Sequence, residues 1–228
     1  MSLLTIVLLL IVDSAYYNCM MMTLYKYGLD LLERAPDQSM DQMTLQAVCV
    51  VYRQRKLEYA LRHAALLVEY RETYGYRVVV SMIYHGAALN LFIFLQEIQA
   101  REHEQKRYGH PPIEKTSHDL ESAMEESFRC LLACGVQTML PRGITRMIYL
   151  TAVQQGTQIP ERVAQMLALV ADTGWHPEDV NLLEGSYPNW TMDTALAAGP
   201  GVEESRMKSL LLSWERMNLG EPGVRAVS

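Results

Sequence analysis

The segment LLTIVLLLIVDSAYYNCMMMTLYKYGLDLLER, residues 3–34, decides the fold class. It contains no proline and only one glycine, Gly28, so nothing interrupts a helix over its whole length. Apolar residues fall on nearly all sides of that helix, a pattern typical of a helix buried in a core. The sequence therefore predicts a long buried first helix, which ends at the break Ala35-Pro36-Asp37.

A second helix is predicted from the region of Ser39 to Thr73. Ser39 with Gln42 three residues later resembles a capping box, and Tyr74-Gly75-Tyr76 marks the end. The cluster of polar residues at 53–56 leaves open whether this stretch forms one helix or two. Its apolar residues recur at helical steps: Met43, Ala47, Val50, Leu57, Leu61, Ala64 and Val68.

The remaining chain continues the helical pattern between clear breaks. A β-branched opening at 78–80 is compatible with a strand, but the segment has no proline, and its alanines and leucines favour a helix over 77–108. Gly109-His110-Pro111-Pro112 then forms a loop. Further helices are predicted from Thr116 or Ser117 to about Leu140, from Ile144 to Gln155, from Pro160 to about Asp172, and from Glu203 to Met217.

No strand alternation and no internal repeat occur in the sequence. The predicted fold class is therefore all-α, a bundle of six to eight helices, several of them long and buried. We expect residues 1–195 to form the main domain. Residues 196–228 are expected to add a loop, an amphipathic helix and a frayed tail.

Composition excludes several classes of protein. The chain has 228 residues, of which 50% are hydrophobic and only 20% charged, so it is neither a disordered tail nor a solvated rod. A net charge of -6 argues against a free-standing nucleic-acid binder. The chain has four cysteines: Cys19, Cys49, Cys130 and Cys134. They form no CxxC pair, so we expect no zinc site and no disulfide framework.

The apolar run from Leu3 to Val12 raises the question of a membrane segment. Ten residues are too few for a spanning helix, which needs about 20. No basic residue precedes the run, and no clean cleavage site follows it, as a signal peptide would require. We expect a core helix and no membrane partner, with a membrane-associated helical protein as an open alternative.

Motifs for catalysis, metal binding and phosphate binding are absent from the sequence. We therefore predict no catalytic residue, no metal and no cofactor. His85, with Tyr84 before it, lies inside an apolar helix and is either a core histidine or part of a ligand pocket. An all-α enzyme whose pocket is lined by tyrosines and His85 stays an alternative.

Basic residues concentrate between Arg53 and Arg77. Glu58, Glu69 and Glu72 are interleaved with them, which indicates a salt-bridged helix face rather than a track for phosphates. The sequence therefore predicts no direct contact with nucleic acid.

Several segments resemble the fungal-specific transcription factor domain, the middle homology region of Zn2Cys6 binuclear-cluster regulators. The helix around Tyr84-His85 is similar to a family helix that often ends in Arg-Pro, whereas here Leu95-Gln96-Glu97 follows. The resemblance covers about 24–190 and rests on these segments: 80–85, 89–93, 128–132, 146–152, 159–160, 175–179 and 187–190.

The resemblance implies an all-α, non-catalytic regulatory domain in the nucleus. Such a domain restrains or tunes transcriptional activation through the transcription machinery, regulatory proteins or a small-molecule effector. The six-cysteine cluster that reads DNA in this family is absent here, and no cysteine has its spacing. We therefore expect a truncated regulator, a fragment, or a relative without the DNA-binding part.

Overall fold

The computed structural model describes residues 3–34, 41–76, 80–108, 114–157 and 159–171. These residues form α-helices joined by short connections, with no strand among them, which confirms the all-α prediction. Six helices lie in this part of the chain: α1 Leu3–Arg34, α2 Gln42–Tyr74, α3 Ser81–Tyr108, α4 Glu114–Gly135, α5 Met139–Gln155 and α6 Glu161–Ala171.

The second predicted helix is one continuous helix, α2. Its N-cap is Asp41, whose carboxylate accepts a hydrogen bond from the Thr44 amide at 2.9 Å, so the predicted cap at Ser39 is wrong. The hydrogen bonds from Thr44 lower the pKa of the Asp41 carboxyl. Gly75 ends the helix with a φ of 63°, a conformation that favours glycine.

Other helix boundaries differ from the predicted ones because two sequence signals have another structural role: Thr116 and Ser117 are not helix caps, and Pro141 is not a helix break. α4 begins at Glu114, so Thr116 and Ser117 lie inside it, and it ends at Gly135 rather than Leu140. α5 begins at Met139, which places Pro141 in the first turn, where a missing amide hydrogen costs nothing. Gly156, with a φ of 62°, ends α5 as predicted.

The chain divides into two compact units, Met1–Ala133 and Cys134–Ser228. In the first unit α1 and α2 run antiparallel, because Gly28 lies against Tyr52 while Tyr17 lies against Tyr59. α3 packs against both of these helices, and α4 is tied to α2 and α3 by hydrogen bonds described below. The predicted boundary at 195/196 lies outside the described residues.

The core of the first unit is formed by one face of each helix. The helical spacing predicted for α2 is confirmed, but its buried residues fall in the second half, and Met43 at its start is 81% exposed. The buried set of α2 is Ala60, His63, Ala64, Leu67 and Tyr70. The largest fully buried side chains of α3 and α4 are Ile83, Leu91, Phe94, Leu95, Met124, Phe128 and Leu131.

In the second unit, α5 carries most of the buried apolar side chains, and Val163 and Leu167 of α6 are buried as well. The Arg142 guanidinium donates to the carbonyl of Gly135, which fixes the short connection between the end of α4 and α5. Residues 172–228, with the predicted helix at 203–217, lie outside the described residues.

α1 departs most from expectation. Its inner side packs against α2 and α3, but many large apolar side chains on its other side are exposed, so the prediction of a helix buried all round is wrong. The physical reason is that the helices of the first unit cover only one face of α1.

Candidate functional site: a buried polar junction and an exposed helix face

His63, Asn90 and Ser127, called here the polar junction, connect α2, α3 and α4 inside the first unit. All three side chains are buried. The amide of Asn90 is satisfied when its oxygen faces His63 Nδ1 at 3.0 Å and Ser127 Oγ at 3.2 Å. Its nitrogen then donates to the carbonyls of Ala60 and Gly86. This arrangement places a proton on His63 Nδ1 and leaves Nε2 as a bare lone pair.

His63 Nε2 faces the backbone of α3 at Gly86, where α1, α2 and α3 approach one another. A β-carbon added to Gly86 would overlap the His63 ring and would lie 2.8 Å from Cys19 Sγ. Nε2 has no hydrogen-bond partner among the described residues. Glycine is therefore the residue that lets the imidazole and the thiol fill the space beside the α3 backbone.

The electrostatics of this cluster keep both groups neutral. Burial, with a smaller contribution from His85, lowers the pKa of His63 to about 3. Burial raises the pKa of the Cys19 thiol to about 12. A catalytic cysteine–histidine pair needs the reverse, a thiolate of low pKa beside a base. The Cys19–His63 arrangement is therefore suited to packing and not to nucleophilic attack.

Acidification is expected to weaken the fold through His63. Its pKa lies near 6.5 in the unfolded chain and about 3 in the folded chain, so between these values the unfolded state binds the extra proton. Stability is then highest above pH 6.5 and falls by about 1.4 kcal/mol per pH unit towards pH 3. Burial also lowers the pKa of His85, which acts in the same direction.

The measurement is urea unfolding at a series of pH values between about 5.5 and 7, followed by circular dichroism; in this range exposed carboxylates, with pKa values near 4, are almost fully ionised. His63→Gln removes the titrating group, so its stability should depend less on pH than that of the wild type. Identical pH dependence in the two proteins would contradict the assignment to His63.

A second buried polar cluster centres on Glu126 of α4. Its Oε1 accepts hydrogen bonds from Arg71 Nε and from the Tyr76 hydroxyl, each at 2.7 Å. The Tyr76 hydroxyl is also 3.1 Å from the Leu67 carbonyl, and burial raises the pKa of this tyrosine. The side chain of Glu126 is 8% exposed and that of Arg71 is 35% exposed. One carboxylate thus links the end of α2, the segment after it, and α4.

The predicted site residues lie beside the polar junction and not within it. His85 and Tyr84 are half-buried on α3, about one and a half turns before Asn90, and desolvation by burial lowers the pKa of His85. A groove of about 430 Å³ lies elsewhere in the first unit and is lined by other residues: Val7, Leu10, Ile11, Ser14, Leu66, Glu69, Glu72 and Thr73.

Sequence reasoning missed His63, Asn90, Ser127 and Glu126. Their partners lie 27 to 55 residues away along the chain, so no local spacing connects them. The available signal was Asn90 and Gly86 within an otherwise apolar stretch of α3, since a polar residue and a glycine there mark a special contact.

The predicted salt-bridged face of α2 is present. Glu58 accepts from both Arg55 at 2.8 Å and Arg62 at 2.5 Å. These hydrogen bonds and charges, Arg55 first, lower the pKa of the Glu58 carboxyl. The Arg62 guanidinium also lies over the Tyr59 ring, 5.3 Å from its centroid. Arg71, in contrast, makes its closest ion pair with Glu126 of α4.

The exposed face of α1 follows a regular pattern. Its residues, called here the outer stripe, recur at steps of four and three: Ile6, Leu10, Asp13, Tyr17, Met20, Leu24, Tyr27 and Leu31. All except Asp13 are large and apolar, with exposed fractions from 39% for Ile6 to 61% for Leu10. This is the step pattern of a helix that packs against another helix.

The buried face of α1, called here the inner stripe, follows similar steps on nearly the opposite side of the helix: Ile11, Ala15, Asn18, Met22 and Leu29. At 100° per residue, the centres of the two stripes are about 160° apart. α1 therefore has an inner and an outer apolar face. The first unit buries the inner face, and it touches the outer one at Tyr17, which lies against Tyr59, and at Leu10, which lines the groove beside α2.

Two other kinds of site concern a membrane-spanning helix and a metal ion. By length and composition alone, the segment Thr5–Leu32 of α1 is apolar enough to cross a membrane, and it is the one such helix among the described residues. The same part of the chain contains no group of three or more histidine, cysteine, aspartate or glutamate side chains that could hold a metal ion.

Comparison of the chain with protein-family models, with characterised proteins and with solved structures finds no match.

Proposed function

We propose that this chain is a non-catalytic, all-α regulatory module of a transcriptional regulator of the fungal zinc-cluster type, acting in the nucleus through protein–protein contacts. The observation that carries the proposal is the outer stripe, a row of seven large apolar side chains that the first unit leaves exposed. Exposed apolar surface of this extent is typical of a protein-binding site. The link to transcription rests on the sequence resemblance.

The interior of the first unit supports a non-catalytic role. Its polar junction and Glu126 make hydrogen bonds between helices, and the thiol and imidazole that approach Gly86 are both neutral. The pKa values of this thiol and this imidazole lie far from 7, so neither group is suited to proton transfer at neutral pH. We place protein contacts before a small-molecule effector because His85 and Tyr84 do not line the groove between α1 and α2.

A reporter assay tests the proposal. The full chain is placed between a heterologous DNA-binding domain and an activation domain, and a linker of equal length replaces it in the reference fusion. We expect the chain to lower reporter output several-fold. Met20→Glu, which puts a charge in the outer stripe, should restore output, because a buried unpaired charge disrupts an apolar contact.

Gln54→Glu is the matched control, because it adds the same charge at an exposed position of α2 outside the stripe. It should leave the lowered output unchanged. Reporter output equal to that of the linker fusion would refute the proposal. Sequence-specific DNA binding by the chain alone, tested by an electrophoretic mobility assay, would refute its non-DNA-binding part.

A further inference from the structure

We propose that the outer stripe of α1 binds the outer stripe of a second copy of this chain, with the two α1 helices antiparallel. This inference rests on the proposed function and names the partner of the same surface. Four observations on α1 and α2 carry it: the spacing of the stripe, its area, the position of Asp13, and the charges beside α1.

The spacing favours a helical partner. Positions 6, 10, 13, 17, 20, 24, 27 and 31 alternate steps of four and three without a break, over about 38 Å of helix. A stripe that repeats every 3.5 residues stays aligned with a second helix along its whole length. The inner stripe, which packs against α2 and α3, has similar steps of three and four residues. Both faces of α1 therefore have the spacing of a helix that packs against other helices.

The area is close to what a stable dimer needs. A fully buried aliphatic or aromatic side chain removes on the order of 100–200 Å² from water, so seven half-exposed ones supply roughly 500 Å². Leu9 and Tyr16, which flank the stripe and are 49% and 51% exposed, extend it further. A standard interface buries about 800 Å² per partner, so pairing of two stripes approaches the normal range.

Asp13 sets the orientation. In a parallel pair the two Asp13 carboxylates would lie at the same level against each other, and like charges in contact are destabilising. In an antiparallel pair that matches all eight positions, the two Asp13 residues lie about 16 Å apart along the axis. The matched pairs in that arrangement are Ile6 with Leu31, Leu10 with Tyr27, Asp13 with Leu24, and Tyr17 with Met20.

The charges of α2 argue against a lipid bilayer as the occupant. Tyr59 of α2 lies against Tyr17 and Tyr25, so the middle of α2 runs beside the middle of α1. Arg55 and Arg62, 55% and 56% exposed, occupy that part of α2. If α1 crossed a bilayer, these two guanidinium groups would lie in the hydrocarbon core of that bilayer, which costs several kcal/mol for each charge. A second copy covers the stripe without this cost.

A matched pair of substitutions at Leu24 tests the arrangement. Leu24 is 58% exposed and lies opposite Asp13 of the second copy, so Leu24→Lys gains an opposite charge there and Leu24→Glu meets a like charge. Sedimentation equilibrium of the full chain measures the dissociation constant. We expect a micromolar dimer in the wild type and at least about tenfold weaker association for Leu24→Glu than for Leu24→Lys. A monomeric wild type, or equal weakening by both substitutions, would overturn the proposal.

Disulfide cross-linking tests the orientation independently. In a Cys49→Ser background, Leu10→Cys and Tyr27→Cys chains are mixed and oxidised. Antiparallel pairing predicts a cross-link between the two variants and none within Leu10→Cys alone. Self-cross-linking of Leu10→Cys would overturn the antiparallel orientation. A chain that stays monomeric and sediments with vesicles of phosphatidylcholine and an anionic lipid would overturn the dimer in favour of a bilayer.

The reporter assay separates the two proposals. A monomeric wild-type chain that still lowers reporter output would overturn the pairing and leave the proposed function supported. A dimer with the predicted Leu24 response and no effect on the reporter would support the pairing and refute the proposed function.

Discussion

Replacement of Glu126 by leucine is expected to lower the free energy of unfolding by about 3 kcal/mol, because it leaves Arg71 and the Tyr76 hydroxyl without their shared acceptor. Loss of one partner of a fully buried ion pair costs about 3–5 kcal/mol, and the partial exposure of Arg71 places this case at the lower end. Urea unfolding at pH 7, followed by far-ultraviolet circular dichroism, measures the change.

The neighbouring residue provides the control. Glu125 pairs with Arg129 at 2.6 Å, one position earlier on α4, but both side chains are more exposed than Glu126. Glu125→Leu makes the same chemical change in a more exposed pair, and it leaves Arg129 with Glu126 at 3.7 Å, so it should cost less than about 1 kcal/mol. Glu126→Gln keeps an acceptor for Tyr76 and should fall between the two. Equal losses for Glu126→Leu and Glu125→Leu would show that the buried cluster has no special weight.

Replacement of Gly86 by alanine is expected to destabilise the chain by about 2–3 kcal/mol, although alanine is the better helix former by about 1 kcal/mol. The added methyl group would overlap the His63 ring, which Asn90 holds in place, and would press on Cys19. Thermal or urea unfolding of the full chain measures the loss.

Two further variants locate the cause. Gly28→Ala places a methyl group 2.5 Å from the edge of the Tyr52 ring, which is half-buried and able to move, so its cost should be smaller. In a His63→Ala background the overlap with the ring is removed and only the contact with Cys19 Sγ remains, so Gly86→Ala should cost less than in the wild type. A Gly86→Ala effect that is the same with and without His63 would rule out the overlap as its cause.

The sequence predicted the positions of the helices better than their boundaries and their contacts. The absence of proline located α1 and α2, with Gly28 as the one glycine inside them, and Gly75 and Gly156 ended their helices as expected. The start of α4 was misjudged because Thr116 and Ser117 are acceptable inside a helix as well as at its cap. The resemblance to a fungal regulatory domain concerns function, and it stays a prediction.

The candidate site was less predictable because its contacts are long-range. In the sequence, His63 is one polar residue in a stretch of α2 that mixes polar and apolar residues. Its role, packing against the α3 backbone at Gly86, is visible only in the structure. For α1, the apolar composition predicted burial on every side, which is wrong for the outer stripe. It could not indicate whether each contact comes from the same chain, and the first unit supplies only the inner one.

The outer stripe also has a consequence for the amount of this protein in a cell. A helix that shows a row of leucine and tyrosine side chains to water is the kind of surface that chaperones retain and that quality-control proteases remove. Once covered, the same helix is protected, because binding stabilises the folded state by mass action. If the partner is a second copy of the chain, the lifetime of the chain would rise with its own concentration, and copies too dilute to pair would be degraded first.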